Sequence, residues 1–166
     1  MPVREILLLG NPVLRQPCAS VKMPLNDSIR TTIADLRDTL SDFRSRRGFG
    51  RGIAAPQIGS GRKIIYVNAD YTGPMINPTI VRRSRKKFRL WDDCFSFPDL
   101  LVKVRRHRSV VVEYLDDKGH ESKLRATGPM AELLQHEIDH LNGVLALDRT
   151  ISTRHIVIRS QWKSSS

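Results

Sequence analysis

The chain has 166 residues, a length expected for one domain spanning residues 1–166 with a core that needs no disulfide staples. Hydrophobic residues make up 40% and charged residues 27%, which excludes a disordered or fibrous chain. Lys and Arg number 28 against 17 Asp and Glu, and the resulting charge of +11 calls for a polyanionic partner such as RNA or a ribosome.

The basic residues concentrate in RRSRKKFR (residues 82–89) and KVRRHR (residues 103–108). These runs read equally well as a docking face or as a plain solvated one. With aromatics at only 6%, no specific nucleic-acid motif of interleaved stacking rings is visible. Two cysteines, Cys18 and Cys94, make no disulfide framework and point to a reducing compartment. Apolar runs are too short for a membrane span. In the opening MPVREILLLGNP, Gly10-Asn11-Pro12 interrupts the apolar stretch before it reaches the length of a secretory signal. A cytoplasmic location, with no membrane contact, is expected.

Asn26-Asp27-Ser28 offers capping side chains, and Ile29, Ile33, Leu36, Leu40 and Phe43 then recur at helical spacing as far as Arg47-Gly48. Lys63–Val67, Met75–Ile80, Leu100–Val104 and Ser109–Leu115 are rich in β-branched residues and predict strands. Pro78 and Pro98 restrict parts of these to edges or entries. Asp116-Asp117-Lys118-Gly119 predicts a hairpin. A second helix is expected from about Thr127-Gly128-Pro129 to the stop at Asn142-Gly143. The segment TRHIVIRSQW is ambiguous between helix and strand, and the tail KSSS is expected to fray. An early helix, a strand-rich middle and a late helix predict an α+β fold.

The late helix carries His136-Glu137-Ile138-Asp139-His140, an H-E-x-x-H run. Residues four apart share a helix face, so both imidazoles can reach one metal ion. Glu137 is one step further round, placed to touch a water on that metal without ligating it. The bland alternative is a pair of surface histidines. A catalytic site of this type needs a third protein ligand and an open position. Position 146 is Ala and no Glu follows Glu137, which removes two known sources of that ligand. The candidates are Asp148 and His155 downstream, and Cys94, Cys18, His107 and His120 upstream. Cys94, among polar residues in WDDCFSFP, is the best of them; Cys18 fits a small buried hydrophobe.

Gly48–Gln57 is a glycine-rich stretch, GFGRGIAAPQ. Pro56 and Gly59 follow where a phosphate cradle needs a helix start, so phosphate binding is disfavoured. Small residues here suit close backbone approach, including a peptide added as an extra strand, with Gln57 as an amide donor beside a polarised carbonyl.

Three separated motifs together resemble peptide deformylase. G-x-G-x-A-A-x-Q reads intact as Gly50–Gln57, Q-H-E-x-D-H reads intact as Gln135–His140, and E-G-C-x-S is altered to Asp92-Asp93-Cys94-Phe95-Ser96. GNPVLR (residues 10–15) and INP (residues 76–78) also look like the family, so the resemblance covers almost the whole chain. It implies antiparallel β-sheets packed around a central helix carrying the HExxH motif. It also implies a metal-dependent hydrolase that removes the N-formyl group from the N-terminal methionine of nascent polypeptides. Cys94, His136 and His140 are then the metal ligands. The ion is Fe2+, with Zn2+, Ni2+ or Co2+ as substitutes, one per chain. Glu137 is the general base and acid, Gln57 and the Phe95 N–H hold the oxyanion, and Gly50, Arg51 and Gly52 bind substrate. Gln135 and Asp139 orient the ligands or their neighbours. The implied partners are the N-formylated nascent peptide and, through the basic surface, the ribosome.

The departures carry their own expectations. Asp93 stands where the family has Gly, adding a Cβ and a charge at a position suited to glycine. Asp92 replaces Glu, with Arg106 as its expected partner. Arg51 occupies a usually aliphatic position and Glu132 lies one turn before His136, so the side-chain pocket is expected to be polar, unless both point to solvent. The alternatives are a related metallo-amidohydrolase with shifted substrate preference and a catalytically weak ribosome-associated binding module.

Overall fold

The computed structural model describes residues 2–163; the tail expected to fray lies outside the described residues from Ser164 onward. The first helix, α1 (Asp27–Arg47), starts at Asn26, whose side chain accepts the Ile29 N–H, and stops at Gly48. Strands follow as β1 (Gly52–Ala54), β2 (Ile64–Asn68), β3 (Thr72–Arg83), β4 (Lys87–Asp92), β5 (Leu100–His107), β6 (Ser109–Leu115) and β7 (Glu121–Thr127). The second helix, α2 (Gly128–Leu141), carries Pro in its first turn and ends at Asn142. The ambiguous last segment resolves into both forms: 3₁₀ turns at Thr153–His155 and Arg159–Gln161 flank a short strand, β8 (Ile156–Ile158).

Every pairing between these strands is antiparallel, in a five-stranded sheet of order β1-β2-β3-β6-β7 and a three-stranded sheet of order β4-β5-β8. Successive residues of a strand point to opposite faces, and the large sheet uses both. Ile65, Val67 and Met75 pack with Met130, Leu134 and Ile138 of α2. Ile64 and Ile76, their neighbours in sequence, pack with Ile29, Leu36 and Leu40 of α1. The α2 helix is buried along most of its length, because it also meets the small sheet: Gln135 exchanges hydrogen bonds with both backbone groups of His107 at 2.8 and 2.9 Å. This is the expected α+β arrangement around the HExxH helix.

Pro78 is tolerated in β3 for a local reason. The β2 partner pairs only as far as Ile76, and the pairing with β6 breaks register between Ile76 and Thr79, so Pro78 has no ladder bond to lose there. The β6–β7 hairpin turns at Asp116, whose carboxylate accepts the backbone N–H groups of Lys118 and His120 at 2.9 and 2.8 Å. Most of the basic run 82–89 is exposed along the end of β3 and β4, but Arg106 of the second run turns inward and is only 2% exposed.

Candidate active site

The centre of the site is a buried thiol between two buried imidazoles. His136 and His140 lie one turn apart on α2, and Cys94 enters from the loop after β4. Their ligand-type atoms all lie within 4.8 Å of one another, and Cys94 Sγ is 3.3 Å from His140 Nε2. The other ligand candidates do not join this cluster. Cys18 packs in the α2 core, Asp148 accepts from Arg15 and the Leu145 N–H, His155 meets Ser152, and His107 meets the Ser84 carbonyl.

A second layer orients the first. His136 Nδ1 donates to Asp92 Oδ2 at 2.8 Å, which leaves Nε2 as the ligand atom. The same oxygen accepts from Arg106 Nη2 at 3.1 Å, and Arg106 Nη1 donates to Asp139 at 2.9 Å. Thus Arg106 is the expected partner of Asp92, and Asp139 is its other anchor. Burial alone would raise the Asp92 pKa, but the charges of His136 and Arg106 outweigh it and hold the carboxyl well below the usual range. Burial, reinforced by the charge of His136, keeps His140 neutral, its pKa well below the ordinary imidazole value. A cysteine sulfur, two imidazoles and a hydrogen-bonded carboxylate behind one of them form a donor set that fits a divalent transition metal.

Asp92, Glu132 and His136 also come together, but each already has a charged partner within the chain. Asp92 serves His136 and Arg106, and Glu132 accepts from Arg51 Nη2 at 2.7 Å. Charge pairing within the chain already accounts for that group.

Gln57 sits in a 3₁₀ turn after β1. Its Oε1 accepts the Ala54 N–H at 2.9 Å, so its Nε2 faces Ser96 Oγ at 3.1 Å and Cys94 Sγ at 3.5 Å. The N-terminal segment braces this region: the Leu7 and Leu9 N–H groups each donate at 2.8 Å, to the carbonyls of Gln57 and Ser96. Phe95 is stacked on Phe43 with ring centroids 3.7 Å apart, which fixes the loop that carries Cys94.

A cavity of about 340 Å³ opens onto this centre. Glu137 lines it and is 3% exposed, and its Oε2 is buried without a hydrogen-bond partner. Burial pushes this carboxyl up to about 7, against the pull of His136. That places its titration near neutrality, where a general base is most useful. Gly50, Arg51 and Gly52 also line the cavity. Gly50 has φ +126°, and a Cβ there would meet Phe95 Cζ at 2.4 Å. A Cβ on Gly52 would meet Leu133 Cδ1 at 2.9 Å and Glu137 Cγ at 3.0 Å. Glycine is what lets this edge strand lie against the helix.

Asp93 was expected to occupy a position suited to glycine. Among the described residues Asn77 is the non-glycine with positive φ, so the backbone at Asp93 makes no such demand. Its charge turns to Arg159 Nη2 at 2.8 Å, and that guanidinium also donates to the Pro98 carbonyl and covers the Phe49 ring at 4.4 Å. Arg51 and Glu132 do not both point to solvent; they pair inside the cavity wall. Sequence reasoning missed Ser96 as the acceptor for Gln57, Asp92 as the carboxylate behind His136, and Arg44, Phe49 and Leu133 as cavity lining. Leu133 had a signal: it lies four residues before Glu137, on the same helix face.

Comparison with known proteins agrees with this geometry. A family model described as polypeptide deformylase matches residues 3–155. The peptide deformylase of Brucella suis biovar 1 (strain 1330) is 34% identical over 169 residues, covering 98% of this chain and 93% of that protein. The peptide deformylase of Thermomicrobium roseum is 40% identical, covering 90% and 86%. Among solved structures, the Thermotoga maritima peptide deformylase superposes with a TM-score of 0.84 at 29% identity, covering 92% of this chain and 100% of that one. The Synechococcus elongatus peptide deformylase in complex with actinonin gives 0.85 at 34% identity, covering 93% and 82%. With its sequence, fold and Cys-His-His cluster in agreement, the chain belongs to the polypeptide deformylase family, metal-dependent hydrolases that remove the formyl group.

Proposed function

We propose that this chain, acting as one domain, releases formate from the N-formylated amino terminus of nascent polypeptides. In this reading Cys94, His136 and His140 hold one Fe2+ per chain, with Zn2+, Ni2+ or Co2+ as substitutes. Affinity order alone does not select iron among divalent ions, so cellular availability must. A divalent cation held there supplies Lewis acidity, lowering the pKa of a water and polarising the formyl oxygen.

The chain's own groups do the rest. Glu137 takes the proton of the attacking water and delivers it to the departing amine as the C–N bond breaks, so formamide and water become formate and a free amino terminus. The Gln57 amide, fixed at both ends, and the Phe95 N–H donate to the oxygen as it gains charge. Gly50, Arg51 and Gly52 lead into the edge strand β1, where a peptide backbone can pair as an added strand. The observation that carries the proposal is the convergence of the three ligand-type residues beside a buried Glu137 carboxyl group whose Oε2 has no hydrogen-bond partner.

A ribosome partner is supported by the exposed basic run along β3 and β4. A cytoplasmic location is supported by two free, buried cysteines. No helix among the described residues is long and apolar enough to cross a membrane. The test is formate release from formyl-Met-Ala by wild-type and Glu137→Gln proteins matched for metal content. We expect the variant to lose about 10²–10⁴-fold in kcat with its fold intact. A variant as active as wild type overturns the role of Glu137.

A further inference from the structure

The wall of the cavity holds a charge pair that the hydrolysis of the formyl group does not use. Glu132 is 5% exposed and its Oε2 lies 2.7 Å from Arg51 Nη2, while Arg51 Nη1 donates to the Pro129 carbonyl at 3.1 Å. The two residues are 81 positions apart and tie the loop leading into β1 to the first turns of α2. Both line the same cavity as Cys94 and Glu137. A peptide side chain entering this cavity would therefore meet a guanidinium and a carboxylate as well as the apolar Leu133 and Phe95.

A guanidinium has five N–H donors, and the two bonds above engage two of them. A carboxylate has about four acceptor sites, more than the contacts of Glu132 with Arg51 and Asp92 fill. The pair therefore retains both donor and acceptor capacity towards a guest. A thioether is a weak acceptor and offers no donor, so it gains little from this surface. A carboxamide on an equally long, unbranched stem offers a carbonyl for Arg51 and N–H groups for Glu132.

Resting on the deformylase reading above, we propose that the Arg51–Glu132 pair is the specificity-determining element of this cavity, and that it admits polar, unbranched first side chains of the glutamine type alongside methionine. The pair also disfavours branched apolar side chains, which would cover its polar atoms without replacing their bonds.

The test is kcat/KM for formyl-Gln-Ala divided by that for formyl-Met-Ala, in the metal-loaded full-length protein. The variants are Arg51→Val/Glu132→Leu, which replaces the pair by apolar groups, and Arg51→Met, which removes the donors at a half-exposed position should the double variant not fold. Arg51 is half-exposed, so the double variant changes the buried wall only at Glu132, where Leu is of similar volume. We expect the ratio to lie near one in wild type and to fall about tenfold in the variants, the scale of one net hydrogen bond. The change should come mainly through KM for the glutamine peptide. A ratio that does not fall, with formyl-Met-Ala still hydrolysed, overturns the inference alone. Absence of hydrolysis of both peptides by the loaded wild-type protein overturns the deformylase reading with it.

Discussion

The decisive side chains are polar groups kept in place by other buried polar groups. Asp92 is the clearest case, because one of its oxygens serves both His136 and Arg106. Changing Asp92 to Asn keeps the volume and removes the charge behind His136. Losing such a supporting contact commonly costs about 10–100-fold in metal affinity. We expect that loss in a chelator-competition titration; affinity equal to wild type would show that Asp92 does not support the ligand. Some of this was legible in the sequence. The H-E-x-x-H spacing fixes the helix face by geometry alone, and the acidic run around Cys94 announced a charged environment. What each charge pairs with was not legible, because the partners are far apart in the chain. Asp93 finds Arg159 across 66 positions, and Glu132 finds Arg51 across 81. The worry that Asp93 disturbs a glycine position was a statement about a backbone angle, which no spacing argument supplies.

Among the secondary-structure elements, sequence reasoning located both helices by periodicity and end signals, four strands by β-branched composition and β7 by the Asp116–Gly119 hairpin signal. The strands it missed carry weak signals for physical reasons. β1 is three residues long and begins with glycine, and β4 is embedded in a basic run that reads as surface. Yet β1 supplies the cavity wall and β4 leads to Cys94, so the shortest and most charged strands position the chemistry. The strand connection at Tyr71 gives a prediction of its own. Burial, reinforced by Tyr114, raises the phenol above its ordinary value, and its hydroxyl donates to the Pro74 carbonyl at 2.9 Å. As pH climbs past the ordinary tyrosine value of about 10, unfolded chains ionise at this residue before folded ones do. The unfolded state then binds fewer protons and stability falls with pH. We expect the urea midpoint of Tyr71→Phe to fall less than that of wild type between neutral and strongly alkaline pH. Equal declines would contradict the assignment.

The whole molecule combines a net charge of +11 with a core split between two sheets. Composition made the charge legible but not its disposition. Arg106 is drawn into the interior by Asp92 and Asp139, while Arg82, Arg83, Lys87 and Arg89 stay exposed. If that face docks the ribosome, the association is dominated by counterion release. The logarithm of the binding constant should then fall linearly with the logarithm of salt concentration. Co-sedimentation with ribosomes across a salt series measures this directly, and binding indifferent to salt would rule out the basic face as the contact. The central claim is that one sulfur and two imidazoles gather a single ion that hydrolysis requires. Its most direct test is anaerobic iron(II) reconstitution of wild type and Cys94→Ser, reading metal stoichiometry and formate release together. The expected result is one ion per chain with formate release in wild type, and loss of both in the variant. Formate release that survives the loss of Cys94 and of the metal would contradict it.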